Sequence, residues 1–478
     1  MSFMYDVLIE IGIALLLIYM PLAFGGVMPG SIAFMEIIIA ALTLIWLAKI
    51  AAQRHEGHGH HADAPNFLSF RAAASRFWLL CGALIGLALL QCLPLPSLLV
   101  KWLSPAGYRL YADAAAAMSA ALPAWLPLSV CADATRASAH ELLAYFMLFV
   151  VMVHVIRSPR QIRRIAAVII AVGLLESLYG MLEYFSGRNQ IFFMKKTFDF
   201  RVTGTFVNKN HFAGFMELVI PLTFSLLFVR LNERTTAVTK RMVRFLDEKY
   251  MKVFLMSFLL CILICALLLS SSRGGFISFI GGMACLLFLS SQRRLLRKKA
   301  VIALCVLLFS AAGALTVGYA PMVKRLKTFA SIESDRSFQL RKMYWQDTLT
   351  IARDFPAFGA GLGTFAHIYP AYQTFSSDIT VEYAENDYAQ MLGEMGVPGF
   401  ALAVGIVAYF LRATWKAWKA QQSRWAIMFT AGGLSALCSL LLHSWVDFNL
   451  RIPSNALLFT VIAAMTTVAA HTRRRSSR

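Results

Sequence analysis

The chain has 478 residues, 59% of them hydrophobic and only 15% charged, with a formal net charge of +20. A soluble globular protein carries charge on about a quarter of its residues, so that class is excluded. The apolar residues fall in runs of about 18–22, long enough for a helix to cross a bilayer core, and none shows the period-two alternation of a β-barrel.

Twelve helical spans are predicted, near 5–24, 31–50, 77–95, 138–156, 165–185, 211–229, 253–270, 275–291, 300–319, 389–411, 425–442 and 454–470. Backbone groups in lipid must be satisfied within their own segment, so the reading is an all-α polytopic membrane protein. The first run has no basic leader and no convincing cleavage site, and a second run follows at once, so it reads as a span and not a signal peptide. Basic residues concentrate in alternate loops: Arg157 to Arg164, the 230–252 segment, Arg293 to Lys299, Arg412 to Arg424, and the Arg473-Arg474-Arg475 tail. This is the positive-inside pattern and puts both termini in the cytoplasm. The charge is topology, and nucleic-acid binding is not expected. Of the eight cysteines, Cys261, Cys265, Cys285, Cys305 and Cys438 fall inside spans and Cys131 is external, so no disulfide framework follows.

The cytoplasmic loop 53–76 carries His55, His58, His60 and His61. It reads as a solvated linker, since no carboxylate or cysteine completes a metal site; metal capture is the alternative. Three external segments are long enough to fold: 96–137, 186–210 and 320–388. In the last, Pro321 to Phe355 reads as one or two amphipathic helices rich in Lys and Arg. Gly359-Ala-Gly361-Leu-Gly363 then makes a tight turn, and a new helix begins near Glu385. The glycine run follows no strand, so it does not read as a nucleotide fingerprint.

Ionisable groups inside spans are costly and usually functional. Glu36, Glu141, Glu176, Glu183, Glu217 and Glu394 lie toward the outer ends of their spans, and Glu10 toward an inner end. Arg201 and Arg273 sit at the same outer level, at two neighbouring external turns. Guanidinium groups bind phosphate oxygens bidentately, so the pair could clamp a lipid-linked diphosphate; snorkelling to lipid headgroups is the other reading. Between the last two spans, His443, Asp447, Asn449 and Arg451 crowd a connector that reads as a cavity wall.

Five stretches, in order, resemble the O-antigen ligase and polymerase family. They are Gly-Thr-Phe-x-Asn-x-Asn-His at 204–211, Ser-Arg-Gly-Gly at 272–275, Gly-x-Gly-Leu-Gly-Thr-Phe at 359–365, Glu-Asn-Asp-Tyr with Glu-Met-Gly at 385–396, and His-Ser-x-Val-Asp-Phe-Asn-Leu at 443–450. The resemblance covers roughly 165–470 and divides the chain. Residues 1–164 are N-terminal helices with the His-rich loop and the external loop 96–137, and 165–478 form the ligase-like domain with the loop 320–388. It implies an inverting glycosyltransferase with a multi-helix membrane fold of the C type, facing the periplasm of the bacterial inner membrane. The donor would be a polyprenyl diphosphate-linked glycan. The acceptor would be a growing polysaccharide, lipid A core or, in some relatives, a protein hydroxyl. The C-terminal Val-Asp-Phe-Asn-Leu block tilts this toward an exopolysaccharide-type polymerase. Neither metal nor cofactor is expected.

Arg201 and Arg273 match the family's two basic positions at the diphosphate. The family commonly has His before the Asn of its His-Asn-x-Tyr motif and assigns it to acceptor activation; here Glu385 stands there. Glu385 is the candidate base, with Asp387, His211 and His443 as alternatives. Asn208, Asn210, His211, Asn386, Tyr388, Asp447 and Asn449 are expected to line the site. A secondary transporter or flippase would instead place its polar site near the bilayer centre, between inverted repeats.

Overall fold

A computed structural model describes residues 2–55, 67–196, 201–231, 248–293, 336–376 and 380–472. Among them, eleven helices are long and apolar enough to cross a membrane, giving an all-α polytopic membrane protein. The span expected at 300–319 lies outside the described residues, as do His58, His60, His61 and the side chain of His55.

The helices in chain order are α1 (Ser2–Leu22), α2 (Pro29–His55), α3 (Phe67–Cys92), the short α4 (Ser97–Leu103) and α5 (Pro105–Ala117), α6 (Ala132–Val155), α7 (Pro159–Ser186), α8 (Lys209–Leu231), α9 (Glu248–Leu269) and α10 (Arg273–Gln292). After these come α11 (Arg336–Asp354), the single turn α12 (Phe365–Ile368), α13 (Asp387–Ala420), α14 (Arg424–His443) and α15 (Pro453–His471). Two small antiparallel ribbons interrupt them. One pairs β1 (Leu95–Pro96) with β2 (Trp125–Leu126), the other β3 (Gln190–Ile191) with β4 (Met194–Lys195).

Local chemistry sets the helix ends. Ser158 and Gln161 form a reciprocal capping box with Pro159 at the first helical position, and α7 stops at Gly187, whose φ is 69°. Ser272 caps α10 through Gly275 N–H, and Asn386 caps α13 through Tyr388 and Ala389 N–H. Helix α13 bends where Gly396 takes a φ of 64° ahead of Pro398.

The bundle has a centre and a lipid-facing rim. In α8 and α15, 89% of the span is buried by other helices, and in α14 78%, against 17% in α3 and 22% in α2. Helix α8 is apolar on every side and fits only the middle of the bundle. Small residues let the central helices approach: Gly282 of α10 meets Ser439, and Gly432 of α14 meets Ser225. The seven cysteines among the described residues are free.

The two ends differ in chemistry. At one, Lys49 pairs with Asp6, Arg164 with Glu10, and Arg163 and Arg293 lie over Trp425 and Trp418. The α1–α2, α3–α6, α7–α8, α9–α10 and α14–α15 connections gather at the other, with the start of α13. There the glycine run is a docked clasp. Ala360 and Gly361 N–H donate to the carbonyls of Gly393 and Glu394, Leu362 N–H to Gln91 Oε1 at 3.0 Å, and Gly363 N–H to Glu394 Oε2 at 2.9 Å. Its N–H groups are thus spent inside the protein, and its glycines serve close packing.

Gly359 has a φ of 75°, and a Cβ there would overlap the Glu394 carbonyl. Gly359→Ala is therefore expected to destabilise the protein by about 1–3 kcal/mol or more, because strain and a backbone clash add. A lowered unfolding temperature in detergent would register it.

Candidate functional site

The five stretches that carry the family resemblance meet at the end of the bundle opposite the basic one. Asp447, fully buried in the α14–α15 connection, is the hub. Asn210 Nδ2 donates to its Oδ2 at 2.6 Å, and His211 Nε2 stands 3.4 Å from its Oδ1. The guanidinium of Arg341 lies 3.4 Å from Asp447 Oδ2 and donates to Glu385 Oε2 at 2.7 Å. Ser272 Oγ donates to Asn210 Oδ1 at 2.8 Å, which ties the α9–α10 turn, and with it Arg273, to the same cluster.

Each side chain is held by its element. Asn208 Oδ1 accepts Asn210 N–H at the start of α8. Glu385 has a φ of 52°, a left-handed conformation uncommon in a residue with a Cβ and frequent at functional turns. Trp345 Nε1 fixes that turn by donating to the Glu385 carbonyl at 3.2 Å. Tyr383 stacks on Phe448 at 4.2 Å, and Phe448 meets the His211 ring edge-on.

The other candidates are nearby but occupied. Asn386 serves as the α13 cap. Asp387 accepts Leu450 N–H at 3.1 Å, and its own N–H donates to the Ser444 carbonyl. Tyr388 donates to the Leu441 carbonyl at 2.7 Å. Asn449 accepts from Asn455, whose amide also reaches the His211 carbonyl. His443 Nδ1 stands 2.9 Å from Glu217 Oε1 inside the bundle, with its Nε2 toward Gly274. Arg201 opens a stretch clamped to α7: Val202 and Gly204 lie on Gly180, and Thr205 donates from both N–H and Oγ1 to Glu176. The Nη1 atoms of Arg201 and Arg273 are both buried.

Burial, reinforced by the Asp447 charge, raises the Glu385 carboxyl above its ordinary range, while Arg341 and His211 oppose the shift. At Asp447 burial pushes upward too, but the bond from His211 and the charges of His211, His443 and Arg341 win and hold the carboxyl low. One acid is therefore kept ionised as an anchor. The other, Glu385, has 23% of its side chain exposed and is reachable from outside the cluster.

Arg341 is the member that sequence reasoning did not single out. It lies in the amphipathic segment foreseen at 321–355, among Lys324, Arg325, Lys327, Arg336, Lys342 and Arg353, and nothing local distinguishes it. Arg451 was noted only as part of its connector. It pairs with Glu394 at 2.6 Å and so locks the glycine clasp to α13. Among the described residues, no group of three or more His, Cys, Asp or Glu side chains is arranged to hold a metal ion.

Asp447→Ala would leave Arg341 and His211 beside an empty buried position. A loss of about 3–5 kcal/mol is expected, with Asp447→Asn milder, since removing one partner strands the other charge. Thermal unfolding of the two variants in parallel checks the order.

Residues 258–404 match the family model described as O-antigen ligase. The matched segment holds Arg273, Arg341, Glu385 and Glu394, whereas Asn210, His211, His443 and Asp447 lie beyond its ends. No curated protein matches the chain.

Proposed function

We propose that this multi-pass membrane protein, whose residues 258–404 match the O-antigen ligase family model, is a glycan-ligating membrane enzyme and, more narrowly, an inverting glycosyltransferase. In this reading it moves a glycan from a polyprenyl diphosphate to a hydroxyl of a second glycan, at the periplasmic face of the bacterial inner membrane. One observation carries it. A single arginine, Arg341, joins Glu385 to Asp447, so the starts of α8 and α13, the α14–α15 connection and α11 serve one polar cluster at a helix-bundle end.

The step follows from the groups present. The acceptor oxygen forms a bond to the anomeric carbon while the bond from that carbon to the diphosphate oxygen breaks. The electron pair leaves with the polyprenyl diphosphate, and the hydroxyl proton goes to Glu385. Attack opposite the leaving group inverts the centre. Arg201 and Arg273 take the charge that develops on the diphosphate. Asp447 holds Arg341, His211 and Asn210 in place. Asp387 and His443 are weaker candidates for the base, because both are buried, whereas part of the Glu385 side chain is exposed. Neither metal nor cofactor is needed for this step.

Both termini are then cytoplasmic, at the basic end of the bundle; residues 165–478 carry the transfer machinery and 1–164 serve as scaffold. A growing polysaccharide is the favoured acceptor, ahead of lipid A core.

The test uses full-length enzyme in nanodiscs with a polyprenyl diphosphate-linked oligosaccharide. Ladder-like growth of the lipid-linked glycan is expected. A single addition to lipid A core makes it a ligase, and glycan on a protein makes it a protein O-oligosaccharyltransferase. Movement of the labelled lipid across the bilayer with no glycan transferred to any acceptor overturns the reading in favour of transport.

A further inference from the structure

The β3–β4 ribbon between α7 and α8 is built against both conformational and solvation preference. Its register pairs Gln190 with Lys195 and Ile191 with Met194, so Phe192 and Phe193 form a two-residue turn. Such turns need positive φ and favour Gly or Asn. Here Phe192 takes a φ of 52°, and Phe193 is 100% exposed. Met194 beside it is also exposed. Two phenylalanines and a methionine at an exposed tip are a poor choice for water.

The ribbon is held firmly in that position. Phe192 stacks on Tyr179 of α7 at 5.5 Å and meets Phe24 edge-on, its N–H donates to the Tyr179 hydroxyl, and Asn189 Nδ2 donates to the Lys196 carbonyl. The tip also continues an existing lipid-facing surface. Leu175, Leu178, Leu182 and Phe185 form an exposed stripe along the membrane-spanning α7, and the ribbon folds back beside it. Arg188 and Lys195, both exposed, flank the apolar tip. Aromatic and aliphatic groups with cations at their margin match the boundary between acyl chains and phosphate headgroups.

We propose that the 189–196 ribbon is a membrane anchor: Phe193 and Met194 insert into the phospholipid leaflet beside α7, with Arg188 and Lys195 at the lipid phosphates. The anchor stands independently of the transfer chemistry. It holds the 189–196 ribbon at the depth of the lipid headgroups.

The test places an environment-sensitive fluorophore at Phe193→Cys in a full-length background whose eight native cysteines are replaced by serine or alanine, in nanodiscs containing brominated phosphatidylethanolamine and phosphatidylglycerol. The same label at Asp113→Cys, an exposed position on α5, reports a water-facing site. Quenching by brominated lipid about threefold or more above the Asp113 label, with blue-shifted emission, is expected for an inserted tip. Phe193 is fully exposed, so its loss removes no packing, and Met194→Cys gives a second reading. Quenching equal to that at Asp113 overturns the proposal. So does blue-shifted emission without lipid quenching, which would mean that protein, such as a second copy of the chain, covers the tip.

Discussion

Arg273→Ala is expected to lower glycan transfer by about 10²–10³-fold, and Arg201→Ala by a similar factor, the usual cost of removing one group that stabilises developing negative charge. Arg273 is the first residue of α10, directly after the Ser272 cap, and so stands at the positive end of the helix. Ser272 also bonds Asn210, which bonds Asp447, and this couples the arginine's position to the carboxylate cluster. Steady-state kinetics separate the roles. A fall in kcat with little change in KM means that the arginine acts on the leaving group, whereas a raised KM alone means ground-state binding of the diphosphate. Lysine at either position keeps the charge but loses the two-pronged geometry, so only partial recovery is expected. Unchanged kinetics in both alanine variants would reduce the two arginines to headgroup anchors.

Much of this architecture could be read from the chain because membrane insertion depends on a one-dimensional property, apolar length. The runs at 211–229 and 454–470 appear as α8 and α15 within a few residues. Four of the five motif stretches were legible for a related reason: each adjoins the end of a span, and alternation of spans puts them on one side; the glycine run at 359–365 lies in the long loop and reaches them by docking on α13. Partnerships through space were not legible. Arg341 is 44 residues from Glu385 and 106 from Asp447, and its segment offers several other cations. The helices before 165 carry little family pattern, yet Gln91 of α3 supplies three bonds to the glycine clasp and its surroundings, and Gly361 packs on Ser129. Packing partners of this kind leave no trace in composition or spacing. The bend in α13 has a sequence mark, Gly396 ahead of Pro398, but not its packing partner: a Cβ at Gly396 would meet the Pro356 carbonyl at 2.7 Å.

Glu385→Gln is expected to reduce turnover by about 10²–10⁴-fold, the range for loss of a positioned general base. Only the ionised carboxylate can accept the acceptor proton, so kcat/KM should rise with pH through the Glu385 pKa and then level off. Burial and Asp447 raise that pKa, which puts the rise above the value of about 4.3 for a free glutamate. Asp447 is held low and stays ionised throughout, so it adds no second limb in the same window. Arg341 opposes the Glu385 shift; replacing it with methionine should move the rising limb to higher pH, apart from any loss of rate. Glu385→His installs the residue common in the family, and its limb should move toward about 6.5, the range of an ordinary imidazole. Full activity in Glu385→Gln, with an unmoved pH profile, would shift the base to His443, His211 or Asp387. An inactive glutamine variant and a working histidine variant together would mean that the chemistry needs a proton acceptor at this turn and tolerates either kind.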